Sequence, residues 1–202
     1  MTGTGSPADR PVPLHRRSIE FEAFRGDGAL RVVGRLRDTR PWADGNGSPA
    51  VVHDMELRVA VRIRDMTIIE AAAEMHTFPH AECPGIVRAF DGLVGLSVAR
   101  GYTRKVQERF GGPRGCTHLE TLARSLGPVV VQAVTSDRAR AVHAGEAEDL
   151  LTGNGSPWAR DSCHIWAEGG VADQKLAAGW RPGIGPYPAA SLVEIRRRGG
   201  QR

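Results

Sequence analysis

What the chain has little of narrows its chemistry first. It carries only three cysteines in 202 residues, too few and odd in number for the disulfide framework of a small secreted domain. No Cys-x-x-Cys pair occurs, so no ready-made zinc-finger or thioredoxin-like motif is present. Lysine is almost missing: Lys105 and Lys175 are the only two, and arginine supplies nearly all the positive charge. Aromatic residues make up 5%, which leaves little surface for stacking nucleobases. No apolar run approaches the roughly 18 residues of a membrane span. The opening stretch MTGTGSPADRPVP lacks the basic start and apolar segment of a signal peptide. A cytoplasmic location is therefore predicted.

Hydrophobic residues at 41% and charged residues at 25% are ordinary for a globular chain, and the length suffices for one domain with a real core. The net charge is +4 and the isoelectric point about 9.4. The arginines are interspersed with acids, and only Arg196, Arg197 and Arg198 form a run. This pattern describes solvated faces rather than a nucleic-acid surface. The partner predicted is a small-molecule substrate, with no nucleic acid and no membrane; a homo-oligomer is compatible with this reading.

Residues 1–13 are polar with three prolines and are expected to be a mobile tail. From Arg17, the residues Ile19, Phe21 and Ala23 alternate with polar ones, as a strand requires. Gly26-Asp27-Gly28 turns the chain, and Leu30, Val32, Gly34 and Leu36 alternate again, giving a hairpin. In VHDMELRVAVRIRD, Met55, Leu57, Val59, Val61 and Ile63 share one face, while Asp54, Glu56, Arg58, Arg62 and Arg64 share the other. One side is buried and one is wet. Asp65-Met66 turns the chain into a fourth strand, Thr67 to Met75.

The periodicity then becomes helical: Ile86, Val87, Phe90, Leu93 and Val94 after Pro84, then Tyr102 to Phe110, then Leu119, Leu122, Ala123, Leu126, Val129 and Val130. Gly127-Pro128 should kink or split the last helix. Strands followed by helices predict an α+β fold, a two-layer domain in which an antiparallel sheet of about four strands packs on C-terminal helices. A single domain is expected over residues 14–180, with a flexible C-terminal tail over 181–202.

The three cysteines sit at element boundaries near histidines, and none lies on an apolar stripe. Cys83 ends HTFPHAEC just before Pro84. Cys116 lies in GGPRGCTHLE, beside a Thr117/Glu120 capping box that opens the third helix. Cys163 lies in DSCH. A helix start carries partial positive charge, which makes a nearby thiol easier to ionise. Cysteine and histidine together suit zinc and also iron–sulfur chemistry. The expected metal ligands are Cys83, Cys116, His118 and Cys163, with zinc first and an iron–sulfur cluster second. His80, His164 and Asp54 are the expected proton carriers. The alternative uses of these thiols are inert core residues, or a metal-free nucleophile with Cys116 attacking and His118 or His164 as base. His15 and Arg16 open the first strand and Asp38 ends the second, so a hairpin brings them to one sheet edge, where a surface ion pair is expected.

The segments LHRRSIEFEAFRGDGALRVVGRLRDT (14–39), HDMELRVAVRIRDMTI (53–68), PHAECPGIVRAFDGLVGL (79–96), GYTRKVQERFGGPRGCTHLETLARSLGPVVVQA (101–133) and DSCHIWAEGG (161–170) resemble a bacterial family of uncharacterised proteins, a domain of unknown function. That resemblance implies no established activity; it carries an association with breakdown of aromatic or acyl compounds. Residues 53–134 are also similar to the iron–sulfur cluster assembly scaffold family. There Cys83 matches the loop cysteine and Cys116 the helix-opening cysteine, while the cysteine of the sheet motif has no counterpart. Together these readings predict a metal-dependent lyase or hydrolase acting on a small organic acid or aromatic metabolite. A non-enzymatic metal or cluster carrier is the second expectation and a metal-free thiol or acid–base enzyme the third.

Overall fold

The computed structural model describes residues 11–43, 48–99, 101–146, 160–180 and 188–199. The chain divides into two compact units, Met1–Val130 and Val131–Arg202.

The first unit is built on four antiparallel strands, β1 (Arg16–Arg25), β2 (Ala29–Arg40), β3 (Ala50–Arg62) and β4 (Thr67–Thr77), in the order β1-β2-β3-β4. This is the meander that the alternating sequence predicts, and the fold is α+β. Pairing aligns the apolar phases into rows across the sheet. Ile19, Leu36 and Met55 form one row, Phe21, Gly34 and Leu57 the next, and Ala23, Val32 and Val59 the third. Gly34 is required in its row: a Cβ there would stand 2.3 Å from Cε1 of Phe21, whose ring lies across the bare backbone.

The inner face is covered by three helical pieces. The segment after Pro84 is a tight 3-10 helix, Cys83–Leu93, where the periodicity predicts a helix without specifying its winding. Pro84 removes an amide donor, and Gly85 and Gly92 are poor α-helix formers. Helix α1 spans Tyr102–Phe110 and helix α2 spans Thr117–His143. Phe90 and Phe110 stack with ring centroids 4.8 Å apart, and Leu93, Val106, Leu119, Leu122 and Leu126 are fully buried. Each such side chain contributes roughly 1.5–3 kcal/mol by leaving water. Helix α2 is not split at Gly127-Pro128; Pro128 lies inside it.

The first intrahelical bond of α2 runs from the Glu120 amide to the Cys116 carbonyl, 2.8 Å. Cys116 itself is thus the cap, one residue before the expected Thr117. Gly115 precedes it because a Cβ there would lie 2.2 Å from the Phe110 carbonyl oxygen. The chain passes so close to the end of α1 that only glycine fits.

In the second unit, α3 (Val171–Ala177) and α4 (Leu192–Gly199) are the described helices beyond α2, and Arg196 donates to Gln174. Helix α4 falls within the segment expected to be a flexible tail. Its start is a capping box: Ser191 Oγ accepts the Glu194 amide, and Glu194 Oε2 accepts the Ser191 amide at 2.7 Å. Among the described residues no helix is long and apolar enough to cross a membrane.

Candidate functional site

The apolar rows of the sheet do not simply stop at the end where β1 begins. One row further on, the same inward phase is occupied by Arg17, Asp38 and His53, paired in register across β1, β2 and β3. Alternation therefore drives these three polar residues towards the covered face. The β2–β3 register shifts immediately after them, with a bulge between Asp38 and Thr39. The start of α2 supplies Cys116 and His118 against it.

Asp38 is the hub. It is 1% exposed, and Arg17 grips it with both arms of the guanidinium, Nε to Oδ1 and Nη2 to Oδ2, each 2.7 Å. His15 Nε2 lies 3.1 Å from Oδ1, His53 Nδ1 3.1 Å from Oδ2 and His118 Nε2 3.3 Å from Oδ2. The rings of His53 and His118 lie close together, with centroids 3.8 Å apart and planes tilted by 31°. The other nitrogen of His118, Nδ1, is 3.7 Å from the Cys116 sulfur. Where the sequence predicts a surface pair of Arg16 with Asp38, the structure uses Arg17 and buries the acid, because Arg17 and not Arg16 has the inward phase.

Burial works against ionisation of Asp38, but the Arg17 fork, with His15 and His118 adding their attraction, outweighs it and holds the carboxyl at about 2. Burial pushes the His118 imidazole below its ordinary 6.5; His53 and Arg17 act in the same direction, and Asp38 opposes them. The site thus keeps a charged carboxylate beside a neutral imidazole at neutral pH, the protonation states in which both groups bind metals.

The donor count is informative. A carboxylate offers about four lone-pair sites, yet two arginine nitrogens and three imidazole nitrogens converge on this one. Asp38, His53 and His118 present ligand atoms all within 4.8 Å of one another. Ligands held tetrahedrally at about 2.0–2.1 Å from zinc stand about 3.3 Å apart, so the observed 3.1 and 3.3 Å separations suit an ion as well as hydrogen bonds.

Of the four expected ligands, His118 alone enters a three-ligand group, and its companions are Asp38 and His53 rather than thiols. Cys116 adjoins the cluster through His118. Cys83 is half-buried at the start of the 3-10 helix, and Cys163 is exposed in the second unit. Among the described residues neither three-ligand group contains a cysteine. His80 and His164 are exposed. Asp54 follows His53 on β3 and so points to the opposite sheet face, where it is buried and held by Arg35 at 2.7 and 2.6 Å with Arg37 at 3.8 Å. The second group, Glu56, Glu74 and His76, lies on that same outer face, and Arg58 already binds both glutamates.

A family model described as a protein of unknown function, DUF2889, matches residues 15–132. The chain belongs to this family. The DUF2889 segment opens on His15 and closes just past the buried part of α2 in the first unit, so it contains His15, Arg17, Asp38, His53, Cys83, Cys116 and His118 and stops short of Cys163 and His164. No curated protein and no solved structure matches the chain.

Proposed function

We propose that this DUF2889 protein is a metal-dependent enzyme of the hydrolase or lyase type, with one divalent ion, zinc first, held by Asp38, His53 and His118. The substrate class is a small organic acid or aromatic metabolite. The observation that carries the reading is the convergence of two imidazole nitrogens on a buried, ionised carboxylate at separations that fit a tetrahedral ion. Three protein ligands leave a fourth position, where zinc would supply Lewis acidity towards a carbonyl or a bound water. Arg17 orients Asp38, and with His118 in the tautomer protonated at Nδ1, facing the Cys116 sulfur at 3.7 Å, Nε2 would be free as the ligand. His15, the most solvent-exposed of the cluster histidines at 53%, is placed to carry protons between the cluster and water. Zinc titration of chelator-treated protein tests this. One ion per chain is expected, lost in His53→Ala with His118→Ala and retained in Cys83→Ser with Cys163→Ser. No binding by the parent protein overturns the reading.

A second reading is favoured by a specific line of contacts: Cys116 Sγ to His118 Nδ1 at 3.7 Å, and His118 Nε2 to Asp38 at 3.3 Å. This is the nucleophile, base and orienting acid of thiol catalysis. It requires Cys116 to alkylate faster than Cys83, with the advantage lost in His118→Ala; equal rates for the two thiols contradict it.

A further inference from the structure

The β1–β2 ladder ends at the Arg16–Thr39 pair, yet His15, one residue beyond it, reaches the Asp38 carboxylate. Chain ends beyond the last pair of a ladder fray unless something ties them. Side-chain packing does not do so here: Val12 is 63% and Leu14 81% exposed. The tie comes from the other strand of the hairpin. After β2 the chain turns, with the Ala43 amide bonded to the Arg40 carbonyl at 3.1 Å, and the turn carries Trp42 back towards the start of β1. The indole Nε1–H of Trp42 donates to the Leu14 carbonyl at 2.8 Å. That carbonyl belongs to the peptide bond joining Leu14 to His15.

Trp42 is itself 59% exposed, an unfavourable position for a large aromatic side chain if burial were its role. Its one polar atom is engaged with the backbone next to His15, and a hydrogen bond there sets the direction in which the His15 side chain leaves the chain. We propose that Trp42 is the positioning residue for His15: its indole clasps the segment ahead of β1 so that the third imidazole stays against Asp38 at the open side of the cluster. Its consequence for ligand binding rests on the metal reading above, while the clasp itself stands on the geometry alone.

The cluster is then asymmetric by construction. His53 and His118 are mostly buried, at 19% and 17% side-chain exposure, and are held by the sheet and by α2, whereas His15 at 53% is held through the clasp. Losing the clasp loosens the outer imidazole and leaves the inner pair in place.

Trp42→Phe keeps the ring and removes the N–H. In metal-free protein the backbone amides of residues 14–16 should exchange with solvent several-fold faster, and the His15 ring resonances should move, with the melting temperature little changed. Unaltered exchange and unaltered His15 resonances overturn the clasp. In a binding titration with cobalt(II) in place of zinc, Trp42→Phe should raise the dissociation constant about tenfold, as removal of a supporting contact around a metal site typically does. In a His15→Ala background it should have no further effect. Equal weakening in both backgrounds, or unchanged affinity in the parent background, overturns the positioning role. A parent protein that binds no cobalt overturns the metal reading instead, and the exchange and resonance measurements then decide the clasp by themselves.

Discussion

Replacing Asp38 by asparagine removes one charge and almost no volume, and so isolates what the hub contributes to the fold. The amide cannot satisfy the Arg17 fork, and its NH2 group points donors at donors. Hydrogen bonds to charged groups contribute about 1.5–3 kcal/mol each, and breaking a fully buried pair costs about 3–5 kcal/mol. Arg17 is 37% exposed, so water recovers part of its loss. Proton linkage gives an independent figure: lowering the carboxyl from 3.8 to about 2 corresponds to roughly 2 kcal/mol. We expect a loss of about 2–4 kcal/mol at pH 7, or on the order of 10 °C in melting temperature for a chain of this size, measured by urea and thermal denaturation with chelator present. The pH dependence is the sharper part. The folded pKa of Asp38 lies below the unfolded one, so its stabilisation is complete above about pH 4 and fades as the pH falls towards 2. The gap between parent and Asp38→Asn must therefore close over that interval. A gap below about 0.5 kcal/mol at pH 7, within the range of an ordinary surface substitution, or one that is the same at pH 3 as at pH 7, refutes the account of Asp38 as an ionised, buried anchor.

Three further outcomes follow from the same geometry. His118 has a folded pKa pushed below 6.5, so its contribution is intact above that pH and erodes on acidification below it; His118→Gln should flatten the urea-midpoint slope between pH 6.5 and the onset of the Asp38 transition. Gly115→Ala forces a Cβ to within 2.2 Å of the Phe110 carbonyl, a backbone atom that cannot swing aside. It should cost about 1–3 kcal/mol and weaken zinc binding, because the shift falls on Cys116 and His118; zinc affinity equal to the parent's contradicts this. Leu122→Ala should cost about 2–5 kcal/mol as a buried truncation while leaving one zinc per chain, which separates core stability from the site.

Much of the fold was legible because alternation and helical spacing are local signals. Four strands and the helices after them follow from the phases of Ile19, Leu36, Met55 and Leu122. The same phases carried the centre of the site. Arg17 continues the inward series of Ile19, Phe21 and Ala23; Asp38 continues Leu30, Val32, Gly34 and Leu36; His53 continues the series from Met55 to Val61. A polar residue that takes the phase of the apolar series at the end of three adjacent strands marks a polar row on the same sheet face, with Asp38 buried at its centre. A thiol at a helix start is a stronger single-residue cue than a charge in phase, so the cysteines outweigh this row in the sequence. The pairing of His118 with that row was not legible, because it depends on how α2 docks, and docking is set by packing among residues distant in sequence. The clasp of Trp42 on Leu14 is a hydrogen bond across 28 residues and leaves no periodic trace.

Zinc K-edge absorption of the zinc-loaded protein tests the central claim most directly, because it counts the kinds of atom around the ion. Nitrogen and oxygen ligands lie at about 2.0–2.2 Å and sulfur at about 2.3 Å. The expected shell is nitrogen and oxygen alone, from His53, His118, Asp38 and a fourth light atom, unchanged when Cys83 and Cys163 are replaced by serine. A shell containing two or three sulfurs would contradict it and assign the ion to the cysteines instead.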